Sequence, residues 1–181
     1  MGRPKQLVPI EGRPMVSQAL TKYEASEAGE VILVLGHHQE SIRESLGLCA
    51  GKTKVVVNRE YREGMGSSIR CGMASLSPRS AAVLVALADK PFIEVATING
   101  MIGFWRKSES SLLVPLHEGV RGHPVLFSRS LYPSLAALEG DRGGISVIER
   151  HGELLVEYVT SDRGVLIDID TEGDLCLKGQ G

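Results

Sequence analysis

Carboxylates close two of the apolar runs in this chain, and their placement is where chemistry is first suggested. Asp89 follows Ala81 to Ala88, a run of apolar residues without a polar break. Such a run suits a strand buried on both faces. In open α/β sheets the carboxyl ends of the strands face the ligand crevice. Asp89 would then stand on the crevice floor, with Pro91 forcing a turn directly behind it. The later run Val165-Leu166-Ile167-Asp168-Ile169-Asp170 also ends in carboxylates, and strand alternation would put Asp168 and Asp170 on one face. Carboxylates at neighbouring strand ends suit Mg²⁺, which takes one or two of them and completes its shell with water and phosphate oxygens. Each also has a plain structural use: Asp89 as the cap of the next helix, Asp170 or Thr171 as the cap of a last one. On the residues alone both uses stay open.

Further candidates surround these. Arg3 and Lys5 lie in a Gly/Pro-rich opening just before a helix, where cations could neutralise a polyphosphate; a solvated terminus is the competing account. Glu63-Gly64-Met65-Gly66-Ser67-Ser68 runs into a helix, and small residues with hydroxyls at a helix N-terminus suit either an anion or an ordinary cap. His123, between Gly122 and Pro124, reads as structural more readily than catalytic. His37-His38 has no third ligand in reach by sequence and does not make a metal site.

The elements that must position these groups alternate. Helical stripes run from Pro14 through Val16, Ala19, Leu20 and Tyr23 to about Gly29, then over Gln39 to Leu46, Ser67 to Leu76, and a segment with core Val95, Ile98, Met101, Ile102 and Trp105. Strands fall at Val31 to Leu35, Lys54 to Asn58 and Ala81 to Ala88. Leu112 to Leu116 and Pro124 to Phe127 bracket a Gly119/Gly122 turn and read as an antiparallel hairpin arm. Helices are expected at Arg129 to Leu138 and Gly144 to Arg150, strands at Leu154 to Val159 and Val165 to Ile169, and a last helix after Thr171. The expected fold is a doubly wound, mostly parallel α/β sheet with a small antiparallel extension.

Bulk properties narrow the function classes. With 181 residues the chain is expected to make a single domain, residues 1–181. Its 43% hydrophobic content and mean hydropathy of +0.02 are those of a folded globular protein. A net charge of −2 from interspersed charges, and only 4% aromatic residues, argue against a nucleic-acid polymer as partner. Cys49, Cys71 and Cys176 are too scattered for a disulfide framework or a zinc site. No apolar run is long enough to cross a bilayer and no secretory signal is evident, so a cytoplasmic protein is expected.

Taken in order, the motifs resemble one family, the MobA-like NTP transferases, the group that includes molybdenum cofactor cytidylyltransferase. Met1-Gly2-Arg3-Pro4-Lys5-Gln6-Leu7 is similar to the end of that family's nucleotide-binding signature. Gly64-Met65-Gly66-Ser67-Ser68 resembles its Gly-Met-x-x-Ser segment, and Asp89-Lys90-Pro91 its Asp-x-Pro step. Arg121-Gly122-His123-Pro124, Gly140-Asp141-Arg142-Gly143-Gly144 and Asp168-Ile169-Asp170-Thr171 supply three further landmarks. The resemblance spans essentially the whole chain. Lys90 departs from the commoner Gln or Met, and Gly144-Ile145 from Ala-Arg, which puts the acceptor side in question.

The resemblance implies a Rossmann-like fold of the nucleotide-diphospho-sugar-transferase type and a Mg²⁺-dependent nucleotidyltransferase. It would move a nucleotide, with CTP the favoured donor, onto the phosphate of molybdopterin in molybdenum cofactor biosynthesis, releasing pyrophosphate. It assigns Arg3 and Lys5 to catalysis and Gly2, Gly64, Met65, Ser67 and Ser68 to the nucleotide. His123 falls to the acceptor, and Asp89 and Asp170 to the metal. A molybdoenzyme or its maturation chaperone would be a further partner. A degenerate non-catalytic nucleotide binder, or an enzyme acting on a sugar or alcohol phosphate, is the alternative. Relatives carry an interior apolar strand and a small Gly-containing turn ahead of the signature. The expectation is that this sequence starts at an internal methionine, which in-frame upstream codons for such a strand would decide.

Overall fold

The computed structural model describes residues 4–47 and 51–169. A 3₁₀ turn over Lys5–Leu7 leads into a two-residue hairpin, β1 (Pro9–Ile10) and β2 (Arg13–Pro14). Its turn is Glu11-Gly12, both with positive φ, as a two-residue hairpin turn requires. Pro14 then sets the entry to helix α1 (Met15–Ala25), which buries Met15, Val16 and Ala19. Strand β3 (Val31–Leu35), helix α2 (Gln39–Leu46) and strand β4 (Thr53–Val57) form a right-length crossover, and β3 and β4 pair in parallel. Helix α3 (Met65–Ala74) precedes strand β5 (Ala82–Val85), and helix α4 (Val95–Ser108) buries Thr97, Ile98, Met101 and Ile102.

The second sheet is built on β6 (Leu112–His117). It pairs antiparallel with β7 (Val120–Arg121) and β8 (Val125–Ser128), and parallel with β9 (Leu155–Val159). Strand β5 joins antiparallel to β8. Two short helices, α5 (Tyr132–Ala136) and α6 (Ile145–Arg150), lie between β8 and β9. They bury Leu135 and Val147 against Leu112, Val114, Val125 and Phe127. The expected doubly wound α/β class holds.

Three expectations are corrected. The Ala81 to Ala88 run makes only a four-residue ladder before it leaves the sheet. The Arg129 to Leu138 helix is a 3₁₀ turn followed by five α-helical residues. Val165 to Ile169 is not a strand: Arg163–Val165 is a 3₁₀ turn, capped by Asp162, whose side chain accepts from the Gly164 amide. The backbone beyond it serves single cross-links in place of a ladder, so the alternation that set Asp168 and Asp170 on one face does not apply. The helix expected after Thr171 lies outside the described residues.

Between β3 and β5, which belong to separate sheets, lies a slot. At one end the Glu30 carboxylate accepts from the Ser77 amide at 2.9 Å and the Ser80 hydroxyl at 2.7 Å, holding the amino ends of both strands together. At the other end Leu7 packs with Leu33, Leu35 and Ala88. The two strands therefore run the same way, and among the described residues neither has a ladder partner on its facing edge. The space between measures about 840 Å³ and is walled by β3, β5, α1, α3 and α4. At about 24 cal/mol per Å³, a sealed dry void of that size would cost on the order of 20 kcal/mol, beyond the ~5–15 kcal/mol stability of a typical domain. The slot is accordingly not a sealed, empty void.

Its edges give a prediction. Val31 donates to Lys52 and Asn58 to Leu35, while Arg129 donates to Ala81. Alternation then turns the amides of Ile32, Val34, Ala82 and Leu84 into the slot. These four should exchange hydrogen at least about tenfold faster than the amides of Leu33, Leu35, Val83 and Val85, measured residue by residue by NMR.

Candidate active site

Residues brought to the carboxyl ends of β3 and β5 make the candidate site. Leu7 is the anchor on the β3 side: buried against Val16, Leu35 and Ile42, it holds the 3₁₀ turn that carries Lys5. Lys5 Nζ reaches Asp89 Oδ2 at 2.8 Å. The other carboxylate oxygen of Asp89, Oδ1, is buried and has no hydrogen-bond partner among the described residues. A buried carboxylate oxygen left so is costly unless something binds it. Asp89 caps no described helix by its side chain: α4 is entered through Glu94, whose amide donates to Asp162 Oδ2 at 2.8 Å.

The turn at residues 162–169 closes over Asp89. The Ile169 amide donates to the Asp89 carbonyl at 3.0 Å, and Lys90 Nζ donates to the Leu166 carbonyl at 3.0 Å. Lys90 also lies 3.4 Å from Asp168 Oδ2. His123 arrives from the loop between β7 and β8, its amide donating to the Val165 carbonyl at 2.9 Å. Gly122 beside it is required by packing, because a Cβ there would stand 2.5 Å from that same carbonyl. Burial, and then the Lys90 ammonium, hold the His123 imidazole below its ordinary value, against the pull of the Val85 carbonyl, Asp89 and Asp168. Its Nδ1 is buried and has no hydrogen-bond partner among the described residues.

The third wall is the N-terminus of α3. Gly64 enters it at φ 99°, and the Gly66 amide donates to the Gly140 carbonyl at 2.8 Å, which docks the Gly140–Gly144 loop on the helix start. Met65 is exposed and Ser67 is buried. The Ser67 hydroxyl lies 2.9 Å from the Glu60 carbonyl and 2.8 Å from that of Gly64, and it accepts from Asn58 Nδ2 at 2.8 Å. It acts as structural stitching here, while Ser68 also accepts from Asn58, at 3.1 Å. Asn58, buried at the end of β4, was not singled out in the sequence; a lone amide closing a run of three valines was the signal available for it.

Beside Lys5 a hollow of about 390 Å³ opens at the end of β3, lined by Pro4, Lys5, Gln6, Leu35, His37 and His38 among others. Its size suits a small ligand. His37 stacks on Tyr61, with ring centroids 5.5 Å apart. The structure thus brings Lys5, Asp89 and His123 into one neighbourhood, with Lys90 and Asp168 added, and places Gly64 to Ser68 at the start of α3. Gly2, Arg3 and Asp170 lie outside the described residues. Among the described residues no three His, Cys, Asp or Glu side chains converge into a metal cage. The orphaned Asp89 Oδ1 nevertheless fits a hard cation that takes few protein ligands.

Known proteins supply the remaining findings. The sequence profile of the MobA-like NTP transferase domain matches residues 1–154. Nicotine blue oxidoreductase of Paenarthrobacter nicotinovorans is 31% identical over 179 residues, covering 94% of this chain and 86% of its own length. The solved structure of Rv0371c of Mycobacterium tuberculosis, determined in complex with manganese, superposes with a TM-score of 0.81 at 27% identity, over 97% of this chain and 91% of that one. The 4-diphosphocytidyl-2C-methyl-D-erythritol synthase of Anaerococcus prevotii shares the fold, with a TM-score of 0.77 at 18% identity over 94% of this chain and 86% of that one. No helix among the described residues is long and apolar enough to cross a membrane.

Two outcomes follow from this geometry. An imidazole held low takes up its proton in the unfolded chain first, so its contribution to stability is full above pH 6.5 and is lost as pH falls from there through the lower folded-state value. The urea midpoint should therefore drop between pH 7 and pH 5, and His123→Gln should flatten that slope. At Gly64, a Cβ would stand 2.6 Å from the Gly140 backbone at a φ that side chains avoid. Gly64→Ala should cost about 1–3 kcal/mol in chemical unfolding.

Proposed function

The chain belongs to the MobA-like NTP transferase family, and from that premise we propose that it transfers CMP from CTP to the phosphate of molybdopterin, with release of pyrophosphate. Asp89 carries the reading: a carboxylate in the turn that follows β5, one oxygen on Lys5 and the other buried and, among the described residues, without a hydrogen-bond partner. That arrangement is suited to a divalent cation beside a polyphosphate, and the manganese in the Rv0371c structure supports a cation of this class.

An acceptor phosphate oxygen would form a bond to the α-phosphorus of the donor as the bond to the bridging oxygen breaks, and pyrophosphate would leave with that electron pair. Both partners are anionic, so the chain's work is positioning and charge neutralisation. Mg²⁺ held by Asp89 and Asp170 would supply Lewis acidity toward phosphate oxygens. Lys5, with Arg3, would balance the charge that accumulates on the leaving pyrophosphate. The backbone amides at the start of α3, with Gly2, Gly64, Met65, Ser67 and Ser68, would seat the nucleotide. His123, kept neutral, would offer a ring nitrogen to the acceptor. The whole chain would work as one domain in the cytoplasm, handing its product to a molybdoenzyme or its maturation chaperone.

Pyrophosphate release from a panel of NTPs, with and without molybdopterin, tests the reading. CTP with molybdopterin should give the fastest release, and a flat response across donors and acceptors would sink the assignment. Asp89→Ala should lower turnover by at least about a hundredfold with an unchanged far-UV spectrum. Near-normal turnover in that variant would remove Asp89 from the chemistry.

The relative named nicotine blue oxidoreductase favours a second reading, an oxidoreductase acting on a substrate of that kind. In that case the NTP panel would yield no pyrophosphate, while a nicotine blue assay would show turnover.

A further inference from the structure

Lys90 has a buried ammonium group that the chemistry above does not use. Its side chain is 9% exposed, with Nζ 3.0 Å from the Leu166 carbonyl and 3.4 Å from Asp168 Oδ2. Retaining a charge at that depth is unfavourable against an apolar side chain of similar length, and such pairs are weak evidence of stabilisation. Its placement suggests a different use. The next residue back, Asp89, takes the Ile169 amide on its carbonyl at 3.0 Å. Adjacent residues of one turn thus hold the incoming segment at both ends, Lys90 at Leu166 and Asp168 and Asp89 at Ile169. That segment has no ladder of its own to keep it there.

We propose that Lys90 is a positioning residue of the cation site: it clamps Leu166–Ile169 beside Asp89 and so sets the affinity of that site for a divalent metal. The inference rests on the reading of Asp89 as a metal ligand. Two effects of the ammonium oppose each other. As a fixed positive charge near the site it repels a second cation, and as a clamp it keeps the neighbouring backbone and Asp168 in register with Asp89. Groups that orient a metal site from behind its ligands commonly change affinity by about 10–100-fold when removed. Repulsion alone would change it in the opposite direction.

The sign of the effect therefore decides. Mn²⁺ binding to the full chain, followed by the EPR signal of the free ion, is measured for the wild type, Lys90→Met and Lys90→Arg, together with hydrogen exchange at Ile169. Lys90→Met should weaken Mn²⁺ binding about tenfold or more and speed exchange at Ile169. It should also raise the Mg²⁺ concentration needed for half-maximal turnover more than it lowers kcat. Lys90→Arg, which keeps the charge and the donors, should recover most of the affinity. Unchanged or tighter Mn²⁺ binding in Lys90→Met would overturn the clamp, as would weaker binding with unaltered exchange at Ile169. A wild type that binds no Mn²⁺ overturns it as well. Mn²⁺ binding that follows the expected pattern without pyrophosphate release would instead overturn the transferase reading and leave the clamp standing.

Discussion

Everything at the candidate site depends on one cross-link between segments far apart in sequence, the ion pair of Lys5 with Asp89. Asp89 could not sit half-buried at a strand end without a countercharge. Lys5 reaches it only because Leu7 is packed under Leu35 and beside Ala88. The pair is partly exposed, so its worth lies in placement more than in stability. It leaves the second carboxylate oxygen buried and, among the described residues, without a hydrogen-bond partner.

Around that pair the backbone is arranged to be used once per contact. Val165 gives its carbonyl to His123, Leu166 gives its own to Lys90, and Ile169 gives its amide to Asp89. A regular strand would have committed these groups to a neighbour. Departing from the ladder lets one short segment touch three residues of the site, and Gly122 and Gly164 permit the approach by lacking side chains where another backbone passes.

Much of this was legible in the residues. The apolar run Val31 to Leu35 and the helix Gln39 to Leu46 fall where their patterns place them, because each has both its faces or its stripe defined locally. Asp89 was singled out because a charge that ends a buried run is informative in itself. The Val165 to Ile169 run misled, since alternation describes side chains and is silent on whether a partner edge exists. The hairpin at Pro9–Pro14 was missed because two-residue strands carry too few positions for a period, although Glu11-Gly12 is a turn signal. Lys90 was noted as a departure but not as a site residue. A sequence displays a lysine as a surface charge, and its burial emerges only when the 162–169 turn is folded over it.

The slot between β3 and β5 has a mechanical meaning for the site above it. Lys5 and His37 flank β3, which pairs with β4, while Asp89 and Lys90 follow β5 and His123 precedes β8 in the other sheet. Among the described residues no ladder joins the two sheets, and Glu30 at the far end and the Lys5–Asp89 pair at the near end link them. The Lys5–Asp89 pair thus bridges segments attached to two separately paired sets of strands. A polyanion that drew on Lys5 and on a cation at Asp89 together would act as a rivet between those segments, and its binding energy would appear as added stability of the folded chain.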